Sequence, residues 1–397
     1  MKFIIERIHS TFNYGSLMMA VNTISEINKK IPNSEFYVDS QTEEDLERLK
    51  REIGTDKIYF FKQKYSNNRV INKIIRVIKK IFFYKKEYDA IVVLGGDDIS
   101  EYYGLESLKG KLKHISTNTR LGLKTVLVGQ TIGPFTGERI EKARNVLNKV
   151  KIYTRDDNCI EYLKSIGIVT GVKGRDLAFL DLPNNPEGML EKYNLKKEEY
   201  ITVVPSGLYK WYTDDYDKYL SEQLRIIRYL MNNNRLIGKK IVLLSHVIKP
   251  DTVDDRKVIK DIWNKLNDEE KKLIVPIYDK LLSSEARKIL AGGILTVTGR
   301  MHAAVSTFFS RKPALSLSYS VKYAGVIGEG LKRSDLIIEC AGNDKWTGTQ
   351  VSDAVKEKVE YMLDNYETLV KEIDIEVSKT SKIVKEELND VCNYLKS

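Results

Sequence analysis

The sequence predicts an α/β protein: two doubly wound, Rossmann-like domains facing each other across a cleft, followed by a helical tail. Three observations carry this. Strand-like and helix-like apolar patterns alternate along most of the chain, which favours parallel sheets. At 397 residues the chain exceeds one ordinary core, so about two domains are expected. The segment from Asp181 to Gly188, with Pro183, Asn184, Asn185 and Pro186, is the densest turn signal and divides the alternation in two. The expected organisation is therefore residues 1–183 as one domain, 184–345 as a second, and 346–397 as an amphipathic tail.

Each element follows from its local pattern. In the first domain, strands are expected at Lys2–Ile8, Glu35–Val38, Lys57–Phe61, Ala90–Leu94, Thr125–Val128 and Ile152–Thr154. Helical spacing fills the gaps, as in Leu17–Lys30 and Glu138–Val150. In the second domain, strands are expected at Tyr200–Val204, Lys240–Ser245, Leu273–Ile277, Ile294–Thr298 and Ala314–Ser318. Helices are expected near Asp214–Met231 and Ser284–Ala291. From Val351 onward, Val355, Val359, Met362, Leu363, Tyr366, Leu369, Val370 and Ile373 form an apolar stripe on a charged tail.

Composition narrows the class. A hydrophobic content of 42% and a charged content of 30% suit a soluble globular protein. No apolar run reaches the roughly eighteen residues of a membrane span. The start, Met1 to Arg7, is charged too soon for a signal peptide and reads as a strand. Cys159, Cys340 and Cys392 share no metal-type spacing, which points to a reducing cytoplasm without disulfides. The net charge of +10 is concentrated: nine basic residues and no acidic one lie between Lys62 and Lys86. Residues 69–83 there form a basic amphipathic pattern, either an ordinary packed helix or a contact for an anionic membrane surface. No nucleic-acid-binding motif accompanies it.

The strongest site signal is Gly299-Arg300-Met301-His302-Ala303-Ala304, between a strand pattern and a helix pattern. Ligands of open α/β sheets bind at that edge. A helix N-terminus offers N–H groups to an anion, Arg300 a planar fork, and His302 a proton-exchanging group. Pro205-Ser206-Gly207, Ser245-His246, and Tyr319, Ser320 and Lys322 fall on the same expected edge. In the first domain, Asn13-Tyr14-Gly15-Ser16, Gly95-Gly96-Asp97-Asp98 and Gly129-Gln130-Thr131 also follow strands. None completes a known phosphate-binding fingerprint; each alone reads as a tight turn sooner than as a ligand contact, and together they mark one functional edge of the first sheet. Asp156 reads as a helix cap. Asp176 reads as a general base or as a structural partner of Arg155 or Arg175.

Taken in order, these residues resemble the polysaccharide pyruvyl transferase family. The set is Asn13-Tyr14-Gly15, Gly95-Gly96, Gly129-Gln130-Thr131-Ile132-Gly133-Pro134-Phe135, Thr154-Arg155-Asp156, Asp176-Leu177-Ala178-Phe179, Gly299-Arg300-Met301-His302-Ala303 and Tyr319-Ser320-Val321-Lys322. The resemblance spans roughly residues 10 to 330. It implies a GT-B-like fold and transfer of a pyruvyl unit from phosphoenolpyruvate to two sugar hydroxyls, forming a ketal. The acceptor is then a cell-surface glycan or its lipid-linked precursor. No cofactor or metal is implied.

On this resemblance the catalytic candidates are His302 and Asp176. The donor side, in the second domain, comprises Gly299, Arg300, Tyr319, Lys322 and His246. The acceptor side, in the first, comprises Asn13, Gly15, Ser16, Gly95, Gly96, Asp97 and Gln130. Ser16 and Asp97 depart from the family pattern, which often has aspartate and glycine there. The expected location is cytoplasmic, peripheral at the inner face of the cell membrane. A nucleotide-sugar-dependent glycosyltransferase on the same architecture is the alternative, and a non-catalytic sugar- or phosphate-binding protein a third reading.

Overall fold

A computed structural model of the chain describes residues 1–8, 10–40, 42–61 and 87–397. His9 and the basic segment 69–83 lie outside the described residues. Two sheets, each wholly parallel, carry the fold. The first has seven strands: β1 (Lys2–Glu6), β2 (Glu35–Val38), β3 (Ile58–Phe60), β4 (Ala90–Val93), β5 (Lys124–Gln130), β6 (Lys151–Thr154) and β7 (Gly171–Lys173). Their order is β3-β2-β1-β4-β5-β6-β7. The second has six: β8 (Tyr200–Val204), β9 (Lys240–Leu244), β10 (Ile274–Ile277), β11 (Thr296–Thr298), β12 (Ala314–Ser318) and β13 (Ile337–Glu339), ordered β10-β9-β8-β11-β12-β13. β4, β8 and β12 are buried at every position, as parallel strands covered on both faces must be.

Strand order reverses once in each sheet, between β1 and β4 and between β8 and β11. Outside the carboxyl ends of such a pair the two connections diverge and leave a crevice. β1 ends earlier than its apolar pattern suggests. Arg7 takes a positive φ of 76°, and the Asp39 carboxylate accepts the N–H groups of Arg7 and Ile8 at 2.6 and 2.8 Å. Those side-chain bonds replace the ladder and stop the strand. β7 and β13 are three-residue edge strands, too short to show a period of two.

The chain forms two compact units, each built from more than one segment. The first comprises Met1–Thr11, Met19–Pro183 and Ser381–Ser397; the second comprises Phe12–Met18 and Asn184–Thr380. The sequence reading gives Phe12–Met18 to the first domain, and the structure gives it to the second. The reason is Tyr14: its side chain is fully buried in a core with Val204, Leu244, Ile277 and Ala303. The tail is two helices, Gln350–Asp364 and Tyr366–Lys396. The end of the second buries Val384, Leu388, Val391 and Leu395 in the first unit. Among the described residues no helix is long and apolar enough to cross a membrane. All three cysteines are buried and unbridged.

Glu387 sits on that last helical segment and is 4% exposed. Its carboxylate accepts the Arg175 N–H at 3.1 Å. Burial dominates and pushes its carboxyl from 4.5 up to about 8. A raised pKa means that the folded state keeps the proton while the unfolded chain loses it. The associated stability is full below about 4.5 and is lost as pH rises through about 8. Glu387→Gln keeps the shape without the ionisation. Denaturant titrations of wild type and variant across that window should show a flatter pH dependence for the variant; parallel curves would refute the assignment.

Candidate active site at the second switch point

The loops after β8 and β11 meet at the second unit's reversal point. The first carries Pro205, Ser206 and Gly207. The second carries Gly299 and Arg300 into a helix, Met301–Phe309. Thr298 Oγ1 accepts the Arg300 N–H at 2.8 Å, and the Arg300 carbonyl accepts from Ala303 at 3.0 Å, which starts the helix. Gly299 is required by space: a Cβ there would lie 2.8 Å from the Tyr212 hydroxyl oxygen and 2.9 Å from Ser206 Cβ. The Tyr212 hydroxyl lies 2.9 Å from both the Gly299 and Leu317 carbonyls, and the Tyr323 hydroxyl donates to Gly299 at 2.8 Å. Burial holds both phenols well above their usual pKa, so they remain donors.

Asp255, fully buried at the first turn of helix Asp255–Lys265, ties three loops together. Its carboxylate accepts N–H groups from Gly207 (2.7 Å), His246 (3.0 Å) and Val247 (2.8 Å). It also accepts Nε and Nη2 of Arg300, at 3.0 and 2.6 Å. Arg300 Nη2 further donates to the Val253 carbonyl at 2.7 Å. The guanidinium is therefore half committed, not the open fork that the sequence suggests. Nε and Nη2 face Asp255, and Nη1 is not among the atoms that bind it. Burial opposes its charge, but the adjoining Asp255 carboxylate outweighs burial and raises its pKa.

The N-terminal loop completes the site from the same unit. Asn13 forms an antiparallel bridge with Val247, and the Tyr14 N–H donates to the His246 carbonyl at 3.2 Å. Asn13 Oδ1 accepts the Ser16 N–H at 3.4 Å and caps the helix Tyr14–Lys30. Gly15 abuts the His302 ring: a Cβ there would lie 2.2 Å from Nδ1 and 2.4 Å from Cγ. Gly15 therefore stands beside His302, and Asn13, Gly15 and Ser16 belong to the second unit, not the first. His246 is 1% exposed and meets the Tyr14 ring edge-on at 5.3 Å. Burial, then the neighbouring His302 and Arg300, hold its pKa well below 6.5, so it is neutral. It packs behind the loop that carries Tyr14. Lys322 donates to the Tyr319 hydroxyl at 2.8 Å on the rim.

The other expected residues lie in the first unit. Asp176 is 1% exposed; Oδ1 accepts from Ala178 N–H at 3.0 Å and Oδ2 pairs with Arg155 at 3.5 Å. The pairing with Arg155 is the second of the two roles open to Asp176 from sequence. Gln130 is fully buried, and Nε2 lies 3.0–3.3 Å from the Leu94, Val93 and Val128 carbonyls, clamping β4 to β5. A Cβ on Gly95 would strike the Gly129 carbonyl oxygen, so Gly95 serves strand packing. Gly96 and Asp97 are half-buried at that unit's own switch point. Asp156 caps its helix by accepting from Cys159 N–H at 2.7 Å. Asp255 and Tyr212 escape a sequence reading. Asp255 follows Asp251 and Asp254 and looks like one more helix cap. Among the described residues no set of three His, Cys, Asp or Glu side chains is placed to hold a metal.

Known proteins similar to this chain give its family and its fold. A family model described as polysaccharide pyruvyl transferase matches residues 13–321. The amylovoran biosynthesis protein AmsJ of Erwinia amylovora is 26% identical over 307 residues, spanning 72% of this chain and 68% of that protein. Among solved structures, S. aureus MnaA in its UDP co-structure superposes with a TM-score of 0.61 at 13% identity, covering 100% of this chain and 97% of that one. UDP-GlcNAc 2-epimerase from Neisseria meningitidis gives 0.61 at 11% identity, covering 98% and 100%. At such identities the likeness shows the fold alone, two doubly wound α/β units of GT-B type.

The Gly15–His302 contact makes a direct prediction. Gly15→Ala inserts a methyl where the imidazole stands, so the ring must move, at about 1–3 kcal/mol of overpacking cost. In ring-selective NMR spectra the His302 signals, assigned with His302→Ala, should shift while those of His114 in the first unit stay. An unmoved His302 signal would show that the contact does not position the ring.

Proposed function

The chain belongs to the polysaccharide pyruvyl transferase family, and from that premise we propose that it moves a pyruvyl group from phosphoenolpyruvate onto two hydroxyls of a glycan or its lipid-linked precursor. The product is a cyclic ketal. It is an enzyme of polysaccharide biosynthesis. The observation that carries the finer reading is the placement of Arg300 and His302 on one helix start, at the β8/β11 reversal, with a buried carboxylate fixing the arginine.

The chemistry asks for a cationic edge and a proton relay. Phosphoenolpyruvate carries a carboxylate and a phosphate, and the helix N-terminus with the Nη1 edge of Arg300 offers them donors and positive charge. His302 takes the proton of the first attacking hydroxyl and gives a proton to C3 of the donor, turning methylene into methyl. The hydroxyl oxygen bonds to C2. The C2–O bond to phosphate then breaks, the second hydroxyl oxygen bonds to C2, and its proton leaves with the phosphate. One donor and two hydroxyls thus give one ketal and one inorganic phosphate. Asp255 and neutral His246 act behind these groups as positioning residues.

Calorimetry should show phosphoenolpyruvate binding to the intact protein. Arg300→Lys keeps a charge beside Asp255 but loses the planar fork, so affinity should fall by about 1.5–3 kcal/mol. His302→Asn should retain binding and lower turnover by roughly 10²–10⁴-fold. A wild-type protein that neither binds phosphoenolpyruvate nor releases phosphate from it with any glycan acceptor would remove this reading.

A further inference from the structure

The rim of the same switch point carries an aromatic wall that the donor chemistry leaves unused. Trp211, at the end of the single turn Tyr209–Trp211 after β8, is 44% exposed. Its indole packs against the Tyr319 ring, with centroids 5.8 Å apart and planes at 47°. Tyr319 follows β12 and is held edge-on by Tyr212 at 5.3 Å and by Tyr323 at 5.6 Å. Those two tyrosines are the ones that fix the Gly299 carbonyl. The wall is thus built on the residues that shape the loop carrying Arg300. Val321, 62% exposed, adjoins it in the chain. The Lys322 ammonium stands 4.7 Å over the Tyr319 ring and donates to its hydroxyl. A six-residue π-helix, Ala324–Glu329, begins directly after Tyr323. Such irregular turns are frequent at functional sites.

We propose that Trp211 and Tyr319, with Lys322 at their edge, form the platform for a pyranose ring of the acceptor. The inference rests on the transferase reading for the role of the bound sugar, not for its binding. A pyranose has an apolar face of C–H groups and a rim of hydroxyls. An exposed, rigid indole backed by a phenol matches the face, and an ammonium with a phenolic oxygen matches the rim. Ketal formation requires two hydroxyls of the acceptor to reach one carbon in fixed order, and a flat wall that orients the ring supplies that constraint. Tyr319 then serves the acceptor rather than the donor.

Trp346 is 1% exposed and Trp263 half-buried, so Trp211 is the accessible indole among the three tryptophans. The test measures acrylamide quenching of tryptophan fluorescence with methyl galacto-, gluco- and mannopyranosides, and separately with UMP. At least one pyranoside should shield the wild-type indole and leave Trp211→Ala unaffected. In transfer assays Trp211→Ala should raise the acceptor KM about tenfold, with phosphoenolpyruvate affinity by calorimetry unchanged. Trp211→Phe should restore most of the loss, which separates stacking from misfolding. Shielding by UMP but by no pyranoside, or an acceptor KM unchanged in Trp211→Ala, overturns the platform. Shielding by a pyranoside in a protein that does not bind phosphoenolpyruvate leaves the platform standing and fails the transferase reading.

Discussion

The second unit is organised around one buried carboxylate. Asp255 receives five N–H groups: three from the backbone after β8 and β9, and two from the arginine after β11. Moving a carboxylate out of water costs several kcal/mol, and only dense hydrogen bonding with a paired cation offsets it. That requirement is geometric. The loops must converge on the same two oxygens, or the charge is left uncompensated. The position of Arg300 is therefore set by the carboxylate as much as by its own strand. The guanidinium is half occupied by this pairing, and its charge is compensated.

A second constraint comes from the start of the chain. The segment Phe12–Met18 leaves the first unit, adds a bridge to Val247, and buries Tyr14 among residues of β8, β9 and β10. Burial of a tyrosine ring contributes on the order of 1.5–3 kcal/mol, which offsets only part of the cost of ordering the segment; the bridge to Val247 and the burial of Phe12, Leu17 and Met18 add to it. Its consequence for chemistry lies one residue on, where Gly15 presents bare backbone to the His302 ring. Behind Tyr14 sits the buried His246, which burial keeps neutral.

The fold and the site have different kinds of evidence behind them. Superposition at 11–13% identity over nearly the whole chain means that the doubly wound framework tolerates almost complete replacement of side chains. Function resides in the loops placed on it. The family match spans the loops that meet at the second switch point, from Asn13 through the Arg300 loop to Val321. The aromatic wall of Trp211 and Tyr319 is built on the same connections.

The sequence by itself determined the α/β class, most of the strands, the dividing turn-rich segment, and the pairing of Arg300 with His302 at a strand-to-helix junction. These are local matters: period, turn composition, and the order of a strand, a glycine and a helix. Only the tertiary structure decided the rest. Sheet order made β8/β11 the switch point, because parallel pairing depends on which crossovers pack together. Core packing moved Asn13, Gly15 and Ser16 to the second unit, since nothing within a seven-residue segment tells which core its tyrosine will enter. The Gln130 amide bonding to the Val93 and Leu94 carbonyls and the Gly129 carbonyl standing against Gly95 are contacts between neighbouring strands that no local pattern names. Asp255, one acid among several before a helix, became the hub because a side chain's partners lie in space and its sequence neighbours do not name them.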